Sequence, residues 1–276
     1  MPYTGSEKST AIGLRYVWVA ERDTDGTIKV PSTQDVDTAY AGINLTGSVG
    51  LTVTIPDPNR VPANGDDRVY HTFQLAPTES PTGELRLTKT HLDAIALLTG
   101  VNVFGSPPFK KVGVATDQQG LEPGVVIWGS RQAIDSDASS EYYGTQIWQT
   151  YIFLNAIATP KPAPMEFQAV SEFTFSVVAN DATVDECGTA FALGTHGFTK
   201  TAYLVVHSLG KFGLDAFVGD DSELTFELSQ TPTATATIVV AVNGTVQNTG
   251  WSHANGVITF EAAPAAAAKI IVEYEW

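Results

Sequence analysis

The sequence predicts a mainly β protein in two units: a larger β-sandwich flanked by one short α-helix, then a small antiparallel β-sandwich. Three observations carry this. Charged residues make up 16% of the 276-residue chain, while 24 Gly and 15 Pro supply turns; globular domains usually carry roughly 25% charge. Low charge with many turn formers predicts β structure whose surface is partly covered by partners. Apolar and polar residues alternate with a period of two in most extended stretches, the mark of strands with one buried face. A helical period is found only once.

Residues 1–10 are polar and are expected to form a flexible arm. Residues 12–20 (IGLRYVWVA) form a strand that ends at the acidic turn Glu21-Arg-Asp23-Thr-Asp25-Gly26. Residues 32–41 are expected to be loop, and 43–55 resume an extended pattern. The stretch 56–67 holds three prolines and an Asn-Gly pair, which predicts a long exposed loop rather than regular structure. Loops of that length in a compact domain are usually interaction elements. Its candidate contact residues are Pro56, Asp57, Asn59, Arg60, Asp66, Asp67 and, opening the next strand at 68–76, Arg68.

The helix is predicted over 91–99. Thr90 is a good N-cap, Asp93 places a carboxylate in the first turn, and Gly100 can close the end in the left-handed conformation. Leu92, Ile95 and Ala96 share its expected apolar face. Strands at 111–116 and 124–130 precede a polar turn around 135–141. Two long strands follow, 146–158 and 165–179, joined by the Pro-rich segment 159–164. In the second, Phe167, Ala169, Phe173, Phe175 and Val177 face one way, and Glu166, Gln168, Glu172, Thr174 and Ser176 face the other. Residues 181–200 are loop-rich, and a short strand at 203–208 closes the first unit.

Gly210, Gly213 and Gly219 suggest a linker, which divides the chain into a body at 1–210, a linker at 211–221 and a module at 222–276. In the module Ile238, Val240 and Val242 alternate, as do Ile258, Phe260 and Ala262. Ile270, Val272 and Tyr274 alternate against Ile271, Glu273 and Glu275. Asn243-Gly244 and Asn255-Gly256 tolerate the positive φ that tight hairpin turns require. With its own strands and turns, the module is expected to be peripheral, exposing Trp251, Glu273 and Glu275.

Thirty acidic against fifteen basic residues give a net charge of −15, a surface that repels nucleic acid. The lone Cys187 excludes an internal disulfide framework. The polar start MPYTGSEKST does not resemble a signal peptide, and no apolar run approaches a membrane span. A soluble protein made in a cytoplasm, without membrane insertion, is the expectation.

Signatures of catalysis are missing. The chain has no G-x-S-x-G, Walker, C-x-x-C or H-E-x-x-H motif, and its five histidines are scattered. Asp185 and Glu186 would push the thiol of Cys187 up, against a nucleophilic role. The turn at 21–26 resembles a calcium loop, but the register puts Ser32 where the bidentate glutamate belongs, so a plain acidic turn is favoured. Glu166 and Glu172 stand about 20 Å apart on one strand face, too far for paired-carboxylate hydrolysis. Neither an enzyme nor a cofactor is expected.

The module is similar to the small β-sandwich modules appended to structural proteins of tailed bacteriophages. The similarity rests on Leu224-Thr-Phe226, Thr231-Pro232, Val242-Asn243-Gly244-Thr245-Val246-Gln247, Gly256-Val257-Ile258-Thr259-Phe260, Ala263-Pro264 and Ile270-Ile271-Val272-Glu273-Tyr274. The first 210 residues resemble the major tail protein, or tail tube protein, of long-tailed non-contractile phages. That resemblance rests on the opening strand Gly13-Leu-Arg-Tyr-Val-Trp-Val-Ala20, the helix after Leu85-Arg-Leu87, and the strands Tyr151-Ile-Phe-Leu-Asn-Ala156 and Glu172-Phe-Thr-Phe-Ser-Val177. It implies a tail-tube-type β-sandwich that forms rings of six, stacked into a hollow virion tail tube that conducts the genome. The implied partners are other copies of the chain and the tape measure, tail tip and terminator proteins. DNA would pass through without specific binding.

Under that resemblance the face of Glu166, Gln168, Glu172, Thr174 and Ser176 would line the lumen, repelling DNA within a Debye length of ~8 Å. The loop at 56–67 would meet the next ring, and long unpaired strands would be paired by neighbouring subunits. The rival expectation is an adhesin or receptor-binding β-sandwich protein that stacks carbohydrate on Trp18, Trp128, Tyr142, Tyr143, Trp148 and Trp251.

Overall fold

The computed structural model describes residues 9–32, 34–54, 56, 59–65, 68–75, 80–89, 92–100, 104–105, 109, 111, 124–161, 172–233 and 238–276. Over these the chain is mainly β, with antiparallel sheets and one helix longer than a single turn. Strand β1 (Ser9–Glu21) is followed by β2 (Ile43–Asn44) and β3 (Ser48–Thr54), then β4 (Asn59–Gly65), β5 (Arg68–Leu75) and β6 (Thr82–Leu87). Helix α1 (Leu92–Thr99) stops at Gly100, whose φ of 69° is the left-handed closing conformation. Strands β7 (Val125–Asp135) and β8 (Gln146–Pro160) flank the polar turn, where Asp135 and Asp137 carboxylates accept backbone N–H groups. Strand β9 (Phe173–Ala179), the one-turn α2 (Leu193–His196) and β10 (Tyr203–Ser208) complete the body. The remaining strands are β11 (Phe212–Val218), β12 (Thr225–Glu227), β13 (Val239–Val242), β14 (Thr245–Val246), β15 (Trp251–Ala254), β16 (Val257–Phe260) and β17 (Lys269–Glu275).

Eight strands form the main sheet, in the order β2-β1-β7-β8-β9-β6-β3, with β10 also beside β8. Strand β8 is long enough for both neighbours: β10 runs along its residues 148–153 and β9 along 156–160. Strands β8 and β9 therefore pair with each other, Ala156 opposite Ala179 and Pro160 opposite Phe175. They are not the unpaired strands expected from the sequence, because β7 and β6 complete their other edges.

Alternation sends Val17, Val19, Leu85, Leu87, Val125, Ile127, Phe153, Phe175 and Val177 into a first core with Ala94 and Leu98 of α1. The helix buries Ala94, Ala96 and Leu98; of the expected face of Leu92, Ile95 and Ala96, Ala96 is buried and Ile95 packs half-buried on the first core. Its sequence LDAIALLT is apolar almost all round, so packing against β1 and β8 selects the face.

The alternate residues of β7 and β8 enter a second core. Val126, Trp128, Ile152 and Leu154 meet Phe212, Leu214 and Ala216 of β11, Ala241 of β13 and Ile271 of β17. Burial on both faces explains why Val125 to Trp128 and Ile152 to Leu154 are unbroken apolar runs. A third core lies inside the terminal sandwich. There Phe217, Val240, Ile270, Val272 and Tyr274 of the sheet β11-β17-β13-β14 pack on Phe226, Ile258 and Phe260 of β12-β16-β15. The expected turns are present: Asn243, Gly244, Asn255 and Gly256 have φ of 49°, 73°, 51° and 82°.

Residues 211–221 are not a linker. Phe212–Val218 is strand β11, buried at 212–217 and paired with β17 along its whole length. Its glycines are close-approach positions. A Cβ on Gly213 would lie 2.7 Å from the Tyr274 ring, and one on Gly219 would lie 2.5 Å from the Ala265 carbonyl. The sandwich thus starts at 212. The segment 32–41, expected as loop, runs against it, with Tyr40 bridged to Ala216 and Thr38 to Glu227.

Residues 59–65 likewise depart from the expected loop. They form β4, paired with β5 from Asn59 opposite Leu75 to Gly65 opposite Arg68. Asn64 and Gly65 are paired strand residues, opposite Val69 and Arg68, and Pro62 is tolerated because both strands of a two-stranded ribbon are edges. The expected strand residues 165–171 and 112–116, and Thr90 and His91, lie outside the described residues.

Candidate functional site

Two surfaces of the body hold the residues singled out as contacts. Asn59 and Arg60 lie on β4, Arg68 opens β5 and Pro56 precedes them; Asp57, Asp66 and Asp67 lie outside the described residues. This hairpin is a two-stranded sheet of its own, and its substantial packing among the described residues is of β4 on β5.

The other surface is the outward side of β6 and β9. Thr174 and Ser176 point away from the first core, with Glu172 just before them, while Glu166 and Gln168 lie outside the described residues. Register adds what one strand could not reveal. Arg86 stands opposite Thr174 and 3.6 Å from Glu172; Glu84 stands opposite Ser176 and pairs with Lys161. The described part of this face is therefore balanced, two carboxylates against two cations, rather than acidic.

The three module residues expected on the exterior are drawn inward. Trp251 is half-buried on the third core, and its Nε1–H donates to the Gln247 carbonyl at 2.7 Å. Glu275 accepts the Gly210 N–H at 3.2 Å, and Glu273 accepts the Cys187 thiol at 3.1 Å. For Glu273 and Glu275 the cause is the position of β17, central in its sheet with a core on each side, so its supposed solvent face turns toward the body.

Tryptophans gather at the same seam. Trp18 stacks on Trp128 at 6.2 Å, and Tyr16 lies between Trp148 and Trp276 at 5.5 and 6.2 Å. The Lys211 ammonium sits 3.9 Å from the Trp276 ring centre. Trp128 and Trp148 are 2% and 7% exposed, which leaves Tyr143 as the one well-exposed member of the proposed sugar platform.

Polar groups complete the seam. Lys269 of β17 reaches the acidic turn, where its Nζ donates to Asp23, to Asp25 at 2.7 Å and to Thr27 at 3.4 Å. An ammonium thus occupies the centre of the turn, in keeping with the plain acidic turn favoured over a calcium loop. The Lys269 hydrogen bond holds Asp23 below its ordinary range; at Asp25 burial acts upward, but Lys269 and Thr27 outweigh it.

Nearby, the loop at 181–191 buries Glu186 and Cys187 against β17. Burial, then the charge of Glu273, pushes the thiol of Cys187 far up, leaving an inert thiol. Glu186 is 5% exposed, and its Oε2 meets no hydrogen-bond donor among the described residues. Sequence reasoning missed this cluster, because Glu186 and Glu273 are brought together only by the docking of β17.

Asp215 is also buried, but it is well served. Tyr274 donates to it at 2.8 Å, and the Ser229 N–H and hydroxyl each donate at 2.7 Å. His196, His207 and His253 lie apart, engaging Ala192 N–H, Gln149 and Gly256 N–H respectively. Among the described residues no group of three or more His, Cys, Asp and Glu side chains is arranged to hold a metal ion, and no helix is long and apolar enough to cross a membrane. No family model and no curated protein matches the chain.

Proposed function

We propose that this chain is a self-assembling structural subunit of the tail-tube type, stacking as rings into a virion tail conduit for the genome. The observation that carries the reading is the β4–β5 hairpin, a ribbon that among the described residues is hydrogen-bonded to neither sandwich. A two-stranded ribbon is marginal in water, and its open edges invite pairing. It lies where the sequence pattern and the resemblance put the contact with the next ring. A head-to-tail contact of this kind propagates as a filament once rings stack.

The balanced Thr- and Ser-bearing face of β6 and β9 suits a lumen in a modified sense. It neither concentrates cations that would hold phosphates by counterion release nor strongly repels them. The proposed partners are further copies of the chain and tail proteins such as the tape measure, tip and terminator.

Negative-stain microscopy and mass photometry test this. Rings or tubes are expected at raised concentration or on adding tail-tip proteins, and a strictly monomeric species under all those conditions overturns it. Glu166→Lys with Glu172→Lys is expected to leave tubes intact while slowing genome ejection; unchanged ejection removes the lumen assignment.

A further inference from the structure

We propose that Asn255 is a self-modification site: the Gly256 nitrogen attacks its side-chain amide with His253 as base, closing a succinimide and releasing ammonia. The inference is independent of the tube reading. Its basis is the β15–β16 hairpin, where Asn255 and Gly256 form the two-residue turn between Ala254 and its partner Val257.

The nucleophile is held in place and faces a base. The Gly256 carbonyl accepts the Leu228 N–H at 2.8 Å, and the Gly256 N–H donates to His253 Nε2 at 3.3 Å. A backbone N–H can only donate, so Nε2 presents a lone pair there and can take the proton. The amide it attacks is free to approach. Asn255 is exposed, and among the described residues its side chain makes no hydrogen bond. Gly256 carries no side chain to shield its nitrogen, and even a Cβ there would meet nothing closer than Thr231 Oγ1 at 3.6 Å. The turn can yield as the ring forms. Strand β15 is a four-residue edge strand, and Asn255 holds a left-handed φ of 51°, which is costly for a residue with a Cβ.

In the step itself, the Gly256 nitrogen bonds to Asn255 Cγ as its proton passes to His253 Nε2. The Cγ–Nδ2 bond breaks, and the imidazolium returns that proton to the departing nitrogen, which leaves as ammonia. Water then opens the ring. Addition at Cγ leaves an aspartate; addition at the main-chain carbonyl leaves an isoaspartate, whose backbone is longer by a methylene. Either product adds a negative charge, and the longer backbone no longer fits a two-residue turn.

The Asn243-Gly244 turn lacks these conditions. Asn243 Oδ1 accepts the Lys269 N–H at 2.9 Å, and the Asn243 N–H donates to the Lys269 carbonyl at 2.8 Å. Among the described residues no base accepts the Gly244 N–H, and Gly244 is pressed against the Gly188 carbonyl.

The experiment incubates the full-length protein at neutral pH and maps its peptides by mass spectrometry, which locates amide-to-acid conversion and isoaspartate. Asn255 is expected to convert faster than Asn243, by roughly tenfold or more. His253→Gln keeps an acceptor but no base, and it is expected to slow Asn255 by a similar factor. Conversion at Asn255 no faster than at Asn243, or unchanged in His253→Gln, overturns the proposal. His253→Ala with imidazole added to the buffer gives a second readout should glutamine disturb the hairpin. Free imidazole is expected to restore part of the lost rate, because proton transfer is what His253 supplies. A loss that imidazole does not restore would make His253 a mere support of the turn and refute its role as base.

Discussion

The seam and the hairpin reverse what the same kind of sequence signal suggested. Residues 210–221 carry three glycines and looked like a flexible connection; they hold β11, a buried strand with a core on each side. Residues 56–67 carry three prolines and looked irregular; they hold β4, half of a ribbon that, among the described residues, is hydrogen-bonded to neither sandwich. Glycine and proline state what the backbone permits, not where it goes. Glycine permits close approach as readily as it permits bending. Proline is excluded from central strands yet acceptable wherever a strand has an open edge. The difference between the regions is therefore one of partners.

The largest test removes the partner. A chain ending at Gly219 strips β17 from β11 and opens Trp128, Ile152 and Leu154 to water, so we expect it to be insoluble or unfolded. Replacing residues 59–75 with a short Gly-Ser bridge is expected to leave folding intact, within about 0.5 kcal/mol of wild type, because among the described residues the ribbon is hydrogen-bonded to no other sheet. Circular dichroism and denaturant unfolding of both proteins check the contrast. Under the proposed function, the second protein should fold and fail to polymerise. A soluble, cooperative truncate would show that the body is independent after all.

The strand pattern, the single helix and the NG turns were legible from local chemistry, since each depends on residues within a few positions of one another. The seam was only partly legible. The unbroken apolar runs at 125–128 and 152–154 signalled burial on both faces, but not which element covers the second face. Glu273 and Glu275 read as a solvent side because alternation identifies two faces without saying whether both are covered. Arg86 and Lys161, which balance Glu172 and Glu84, are set by cross-strand register, and no single strand carries that information.

Next in size is Ile271→Ala. Ile271 is 1% exposed in the second core, and truncating such a residue costs about 2–5 kcal/mol, depending on how far the cavity collapses. The loss should appear in one shared unfolding transition, followed by tryptophan fluorescence for the seam and far-ultraviolet dichroism for the whole. Two separate transitions would mean that the second core does not couple the sandwich to the body.

Gly244→Ala sharpens the same point with less force. Its φ of 73° alone costs an L-residue about 1–2 kcal/mol, and the added methyl also meets the Gly188 carbonyl. Gly250 makes the control: its φ is 85°, but a Cβ there meets nothing within 4 Å. Gly244→Ala should therefore be the more destabilising of the two, by about 1 kcal/mol or more. Equal losses would indicate that the turn is not pressed against the 181–191 loop.

The smallest expected effect is Lys269→Met, which removes the ammonium from Asp23 and Asp25 while keeping an apolar stem. These groups are partly solvated, with side-chain exposures of 23%, 28% and 48%, so screening limits the loss to about 1 kcal/mol. Both carboxyls are held below their ordinary values in the folded protein. Their stabilisation is thus present above the unfolded value of 3.8 and fades as pH falls through the folded ones. The variant should match wild type in strong acid and fall behind as pH rises toward 4, with the full deficit above it, by less in high salt. A Lys269→Met protein whose stability kept the wild-type slope on the acid side would show that the ammonium does not hold Asp23 and Asp25 at the seam.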